Sequence, residues 1–314
     1  MNAPQVSVVL PAFNRLALLR EACASVLTQT FGDWELIVAD DGSGDETQTW
    51  LRTLDADPRV RLLWLNHTGN PGATRNAALQ VARGHYVAFL DSDDRWLPHK
   101  LATQLQALRA SRCRWSYSAF TRIDRDGRAL DESQPWWQAR QGAIFEALLR
   151  FAAVVPTPAV MVERTLLEQV GGFDVSLAQF EDYHLWLRLC LQGEVLLVDE
   201  PLLEVRSHDQ HYYRPGMVAL ERWRRMLEAL QDLPMNAEQR AALGAAHRRN
   251  TLQLARGLAA RGEQAAAAAL MAQGGAVHGG DPRWWLGAAA TRLYVSAPHW
   301  LRGGYQRLRG RPPA

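Results

Sequence analysis

The sequence predicts an α/β fold, a parallel sheet wrapped by helices, followed by a helical appendage. Three observations predict it. Short apolar, often β-branched runs alternate with amphipathic stretches through roughly the first 110 residues. Acidic and glycine-rich clusters follow several of those runs, where open sheets gather their ligand-binding loops. From about Gly216 onward the composition turns to Ala, Leu, Arg and Gln, and the strand pattern stops.

Composition bounds the answer. The 314 residues suffice for one large domain or two ordinary ones, and 47% hydrophobic against 22% charged residues can build a core. A formal net charge of +2 supplies no strong field, so no nucleic-acid partner is expected. Cys23, Cys113 and Cys190 are widely spaced and odd in number, which suits a reducing compartment better than a disulfide framework. The N-terminus runs straight into a strand pattern, with no signal-peptide pattern, and no apolar run approaches the roughly 20 residues of a membrane span. The expected location is cytoplasmic.

Residues 6–10 are a β-branched run ending at Pro11, the first buried strand, with Ala12, Phe13, Asn14 and Arg15 as the loop at its carboxyl edge. Leu19, Ala22, Cys23, Val26 and Leu27 recur at helical spacing. Residues 34–39 are the second strand, running into Asp40, Asp41, Gly42, Ser43 and Gly44. A helix over 47–54 and a strand over 60–65 follow. Residues 66–72 are a polar loop, and 73–82 are a helix that carries Arg75.

Residues 85–96 read HYVAFLDSDDRW. The apolar part is the pattern of a strand buried on both faces. It ends on Asp91, Ser92, Asp93 and Asp94. Carboxylates crowded there need a counter-charge, and a hard divalent cation with oxygen ligands is one. The plainer alternative is an acidic turn capping the helix over 98–110. This series of loops places Phe13, Asn14, Asp40, Asp41, Arg75, Asp91 and Asp93 along one rim.

After Ser111 the alternation breaks down. A strand over 115–121 leads to a hairpin turn at Asp124, Arg125, Asp126 and Gly127. The loop over 133–137 carries Trp136 and Trp137. A helix over 144–151, a strand over 159–162 and a helix over 165–170 ending at Gly171 and Gly172 come next. In FEDYHLWLRL (180–189), Glu181 and Asp182 open a helix, where acids complement the dipole if they serve no site. Two short strands, 195–198 and 202–205, precede Arg206, Ser207 and His208.

Helices are expected over 217–233, 237–260 and 264–271. The last stretch is basic and aromatic: Arg283, Arg292, Arg302, Arg307, Arg309 and Arg311 stand against Asp281 alone, among Trp284, Trp285, Tyr294, Trp300 and Tyr305. That mixture suits a surface helix on anionic lipid, or a solvated tail whose aromatics pack on the protein.

Together, VSVVLPAFNR (6–15), SVLTQTFGDWELIVADDGSGDET (25–47), GNPGATRNAAL (69–79), YVAFLDSDDRW (86–96), GGFD (171–174), FEDYHLWLRL (180–189) and PLLEVRSH (201–208) resemble glycosyltransferase family 2. The resemblance covers roughly residues 5–210. It implies a GT-A mixed sheet flanked by helices in a catalytic domain over 1–212, and the helical region over 213–314, read from its composition, lies outside the resemblance.

The resemblance also implies roles. Asp41 accepts from the nucleotide base, while Pro11, Phe13, Asn14, Arg15 and Ser92 belong to the nucleotide-sugar pocket. Arg75 steadies the diphosphate. Asp91 and Asp93 match the DxD motif near the ribose and a Mn²⁺ or Mg²⁺ ion, with Asp94 leaving the ligand open, and His208 closes over the diphosphate or metal. Asp182 is the base of an inverting single displacement, and Glu181 orients the site or the acceptor. Trp136 and Trp137 lie in the region where family members bind acceptors, and their rings either stack on an acceptor sugar or pack in the core. The donor is a UDP- or dTDP-sugar. The acceptor is a glycan or lipid-linked glycan of bacterial surface polysaccharide synthesis, and the enzyme is at most peripheral on the membrane.

Departures from the pattern are Ala12, Ala39 and His184. The competing reading is a non-catalytic sugar-nucleotide-binding scaffold, which would have no need of a base. A nucleotidyltransferase would carry a Gly-rich, basic loop after the first strand, where this chain has PAFNR.

Overall fold

The computed structural model describes residues 3–130, 138–177, 179–207 and 216–296, so Trp136, Trp137 and His208 lie outside the described residues. The chain divides into two compact units, Met1–His211 and Tyr212–Ala314.

The first unit holds strands β1 (Val6–Ala12), β2 (Trp34–Asp40), β3 (Val60–Trp64), β4 (Tyr86–Phe89), β5 (Arg95–Trp96), β6 (Trp115–Ile123), β7 (Val160–Glu163) and β8 (Leu196–Arg206). They form one sheet in the order β3-β2-β1-β4-β7-β6-β8-β5. Strands β3, β2, β1 and β4 are mutually parallel. Helices α1 (Leu16–Leu27), α2 (Asp45–Thr53) and α3 (Pro71–Val81) link them in turn. The apolar runs lack alternation because both faces of the sheet are covered: Val6, Val8, Val9 and Leu10 of β1 are fully buried, and so are Leu36, Ile37 and Val38 of β2. Burying a Val or Leu side chain stabilises by about 1.5–3 kcal/mol. Helix α1 buries Leu19, Ala22, Cys23 and Val26 of the stripe its spacing predicts, while Leu27 at its last position is half-buried.

Beyond β4 the sheet becomes mixed. Strand β7 is antiparallel to both β4 and β6, whereas β6 and β8 are parallel. The two short strands expected over 195–198 and 202–205 are one strand, β8. Register shifts opposite Ser118, Ala119 and Thr121 absorb the interruption, and Pro201 pairs with Ala119 there. A bulge within a strand imitates a strand break in sequence. The turn expected at Asp124 is present, with Gly127 at φ 82° and its N–H donated to the Asp124 carbonyl at 3.1 Å. Helices α4 (Lys100–Ala110), α5 (Phe145–Leu149), α6 (Arg164–Val170) and α7 (Glu181–Gln192) complete this unit.

The second unit is helical: α8 (Met217–Ala229), α9 (Ala237–Ala260), α10 (Gln264–His278) and α11 (Pro282–Ser296). Helix α9 starts on a capping box, with Gln239 N–H donated to Asn236 at 2.8 Å and Asn236 N–H to Gln239 Oε1 at 3.0 Å. Helix α10 outruns the expected end at Met271. Its Gly274 lies under the Trp284 ring, where an added Cβ would come within 2.2 Å of ring carbon. Trp284 packs with Leu254, Ala255, Leu270, Met271 and Ala288, and this burial carries the helix through its glycines. Among the described residues no helix is long and apolar enough to cross a membrane.

Candidate active site

Strands β1, β2 and β3 end level, since Ala12 pairs with Asp40 and Asp40 with Trp64, while β4 ends opposite Val9, so that Asp91–Asp94 follow a strand that stops three residues earlier at the same edge. The loops that follow therefore meet at one rim. Asn14 and Arg15 take left-handed conformations, φ 54° and 55°, which Asn tolerates and Arg adopts only under constraint. The constraint is visible. Asn14 N–H donates to Ser43 Oγ at 2.7 Å, and Gly44 N–H donates back to Asn14 Oδ1 at 2.9 Å, tying the loop after β1 to the loop after β2.

Asp41 is buried beside that junction. Its Oδ1 accepts from Thr68 N–H at 2.9 Å and Thr68 Oγ1 at 3.0 Å, and its Oδ2 accepts from Gly69 N–H at 2.9 Å. His67 Nδ1 lies 3.0 Å from the same Oδ2. The His67 ring stacks on Phe13, with centroids 4.1 Å apart and planes 18° apart. Asp41 thus fixes the loop after β3, and the half-exposed Phe13 and His67 form a flat aromatic wall above it. His67 was not singled out from sequence. Its partners lie 26 or more residues away, and a histidine in a polar loop carries no local signal.

Helix α3 brings Arg75 to the rim. Asn70 caps the helix, accepting from Ala73 N–H at 3.1 Å. The helix begins against α7: a Cβ at Gly72 would meet Glu181 Cγ at 3.2 Å and Phe173 Cβ at 3.3 Å. Asn76 clamps the Gly-Gly-Phe-Asp turn, accepting from Phe173 N–H at 2.9 Å and donating to its carbonyl at 2.8 Å. The buried Arg75 guanidinium then reaches Asp91 Oδ1 at 2.6 Å and Glu181 Oε1 at 3.4 Å, over the face of Phe173.

The four acidic-cluster positions separate by direction. Asp91 faces Arg75, and Asp93 Oδ2 accepts from Arg15 Nη1 at 2.9 Å. Asp94 turns inward, 5% exposed, and accepts from Arg206 N–H at 2.7 Å. Burial, with the charges of Asp93 and Asp91, holds its carboxyl well above the usual range. Arg206 is itself buried and pins the cluster. Its Nε donates to the Asp93 carbonyl at 3.0 Å and its Nη2 to Glu21 Oε2 at 2.7 Å. Ser92 lies partly buried between the two outward acids, and Pro11 pairs with Ala39 inside the sheet.

Asp91 and Asp93 are an oxygen-only donor pair, the chemistry a hard divalent cation takes. Among the described residues no group of three His, Cys, Asp or Glu side chains is arranged to hold a metal ion by itself. A two-carboxylate site of this kind fits Mg²⁺ or Mn²⁺ when substrate phosphates and water supply the remaining ligands.

Asp182 stands in the first turn of α7, after Phe180 in a left-handed conformation at φ 65°. Its Oδ1 accepts from Tyr183 N–H at 2.7 Å and its Oδ2 from Thr157 Oγ1 at 3.3 Å. Burial, and secondarily the neighbouring Glu181 charge, pushes its carboxyl up to about 7. Thr157 is a further residue the sequence does not single out. It sits in a short 3₁₀ turn, Thr157–Ala159, held from below by Trp96 Nε1 on the Pro158 carbonyl at 2.9 Å and Gln104 Nε2 on the Ala159 carbonyl at 2.9 Å. The site therefore joins a cation, two outward carboxylates and one carboxyl poised to exchange a proton near neutrality.

Comparison with known proteins places this site in context. The family model described as Glycosyl transferase family 2 matches residues 7–171. The chain is 32% identical over 192 residues to the putative teichuronic acid biosynthesis glycosyltransferase TuaG of Bacillus subtilis, covering 60% of this chain and 73% of the relative. It is 30% identical over 195 residues to WfgD of Escherichia coli, a UDP-Glc:alpha-D-GlcNAc-diphosphoundecaprenol beta-1,3-glucosyltransferase, covering 62% of this chain and 73% of that one. Among solved structures, S. aureus TarS 1-349 in complex with UDP-GlcNAc shares the fold at TM-score 0.66 and 17% identity, covering 96% of this chain and 92% of that one. The mannosyltransferase PcManGT of Pyrobaculum calidifontis, solved with GDP-Man and Mn²⁺, does so at TM-score 0.60 and 19% identity, covering 99% of this chain and 89% of that one.

Proposed function

Because the chain belongs to glycosyltransferase family 2, we propose that it transfers a sugar with inversion from a UDP- or dTDP-sugar to a glycan or lipid-linked acceptor. The observation that carries this reading is Asp182: a carboxyl near 7, two hydrogen bonds to hold its orientation, and Arg75 nearby. Asp182 takes the proton of the acceptor hydroxyl as that oxygen bonds to the anomeric carbon. The bond from that carbon to the phosphate oxygen breaks on the opposite face, and its electron pair leaves with the nucleoside diphosphate. Arg75 exchanges Asp91 for the departing phosphate and stabilises the charge gathering there. Glu181 orients the acceptor side.

Phe13 and His67 wall the base. Asp41 accepts the N3–H of the base in exchange for one of its loop donors, and Pro11, Asn14, Arg15 and Ser92 complete the donor pocket. A divalent ion held by Asp91 and Asp93 would supply charge neutralisation for the diphosphate. His208, Trp136 and Trp137 retain the metal-side and acceptor roles that the family resemblance implies. The preference for UDP rests on the names of WfgD and TarS. A lipid-linked acceptor in surface polysaccharide synthesis rests on those of WfgD and TuaG.

The test is a thermal-shift panel of UDP-, dTDP- and GDP-sugars with and without Mn²⁺, followed by nucleoside diphosphate release with glycan and lipid-linked acceptors. A UDP- or dTDP-sugar should stabilise the wild type only with metal. Asp93→Ala should lose that shift. Asp182→Asn should keep it while losing about 10²–10⁴ in turnover. Full turnover by Asp182→Asn would remove the proposed base, and a GDP-sugar as the sole binder would overturn the donor assignment.

A further inference from the structure

Helix α11 presents an outward face that an ordinary solvent-facing helix does not carry. Trp284, Ala288 and Thr291, at 1%, 0% and 0% exposure, form its inner stripe. The opposite side carries Leu286, 76% exposed, and Trp285, 50% exposed, followed by exposed Ala289 and Ala290. The one polar atom of the Trp285 side chain is already used, donating to the Gly279 carbonyl at 2.9 Å, so what the ring offers outward is apolar. Exposed Arg283 and Arg292 flank the face, and the Arg292 guanidinium lies 6.0 Å from the Trp285 ring centroid. No Asp or Glu follows Asp281, while Arg302, Arg307, Arg309 and Arg311 extend the positive charge in sequence.

We propose that this face of α11 docks on an anionic lipid bilayer. A helix lying in the interface plane buries its apolar side at the headgroup boundary and sets basic side chains against anionic headgroups, and α11 has both parts. A second copy of this chain fits less well, because a two-fold contact would set the arginines of one copy against those of the other. The inference concerns a surface of the helical unit and stands apart from the assignment of the reaction.

Co-sedimentation of the full chain with vesicles tests it. Vesicles containing phosphatidylglycerol should retain the protein at least about tenfold better than pure phosphatidylcholine, and raised salt should weaken the binding. Leu286→Glu should lose most of that retention, and Leu286→Glu with Trp285→Ser nearly all of it, with the melting temperature kept. Arg283→Gln with Arg292→Gln should reduce it less. Equal retention on both vesicle types, or none, overturns the proposal. So does undiminished binding by the Leu286→Glu variants, which would move the contact off this face. A concentration-dependent dimer that Leu286→Glu abolishes, without vesicle binding, would assign the face to a second copy instead.

Discussion

Arg75 Nη2 stands 2.6 Å from Asp91 Oδ1, and this pair joins helix α3 to the end of strand β4. The guanidinium is almost fully buried, with Glu181 at its other side, so it is the local counter-charge for three acids, Asp182 included. Removing one partner of a buried pair leaves the other charge uncompensated, a cost of about 3–5 kcal/mol. Arg75→Met is therefore expected to lower urea stability by that order. Arg75→Lys should fold better yet recover little of the donor-induced thermal shift, since an ammonium lacks the planar fork. Equal donor shifts for Lys and Arg would sink the proposed diphosphate role.

The proposed base titrates near neutrality, so the rate should depend on pH with a definite sign. Only the carboxylate of Asp182 accepts a proton. With its carboxyl pushed up to about 7, kcat/KM should rise with pH through that value and fall roughly tenfold per unit below it. Glu181→Gln removes the second-largest cause of the shift. Its acid limb should move to lower pH while staying above the ordinary carboxyl value, because burial, the largest cause, remains. A limb that does not move in Glu181→Gln would show that another group titrates.

Glu35 shows the opposite balance at a site remote from the chemistry. Burial alone would raise its carboxyl, but hydrogen bonds from Ser7 and Arg83, with the charge of Arg83, outweigh it and hold the group below its usual range. Its Oε1 accepts from Ser7 Oγ at 2.6 Å and Arg83 N–H at 2.7 Å, and its Oε2 accepts from Arg83 Nε at 2.9 Å. Glu35→Gln should cost about 2–3 kcal/mol in denaturant unfolding at neutral pH. A lowered carboxyl contributes stability above its unfolded value that is lost as pH falls through the folded one. The gap between wild type and variant should therefore close on acidification below about 4.5.

Lys100, the only lysine in the chain, is fully buried. Its Nζ donates to Gln104 Oε1 at 2.7 Å and lies 4.2 Å from the Trp96 ring centroid. Burial pulls its ammonium down to about 7. The unfolded chain then binds more protons than the folded one between pH 7 and the ordinary lysine range, so folding stability rises with pH there. Relative to Lys100→Met, the wild type should gain about 2 kcal/mol between pH 7 and 9. Parallel pH profiles for the two proteins would show that the amine stays charged inside.

Much of this was legible in the chain itself. The four parallel strands, their intervening helices and the acids at the strand ends followed from apolar runs alternating with helical spacing, and strand ends on one rim follow from parallel order alone. The bulged β8 was not legible, because Pro201 breaks the local pattern while pairing across to β6 repairs it. Thr157, His67 and Arg206 were missed for one reason. Thr157 meets Asp182 25 positions away, His67 meets Asp41 26 positions away, and Arg206 meets Asp94 112 positions away. No window of sequence contains those pairs.

The Asp91-Ser92-Asp93-Asp94 run marks the division most sharply. The residues alone determined that several carboxylates would crowd at a strand end and need a counter-charge. Only the tertiary structure decided that Asp94 turns inward to Arg206 while Asp91 and Asp93 turn outward to Arg75 and Arg15. Local composition sets how much charge a loop carries and what secondary structure precedes it. The direction of each side chain depends on which distant segment offers it a hydrogen bond, and that partner exists only once the sheet has assembled.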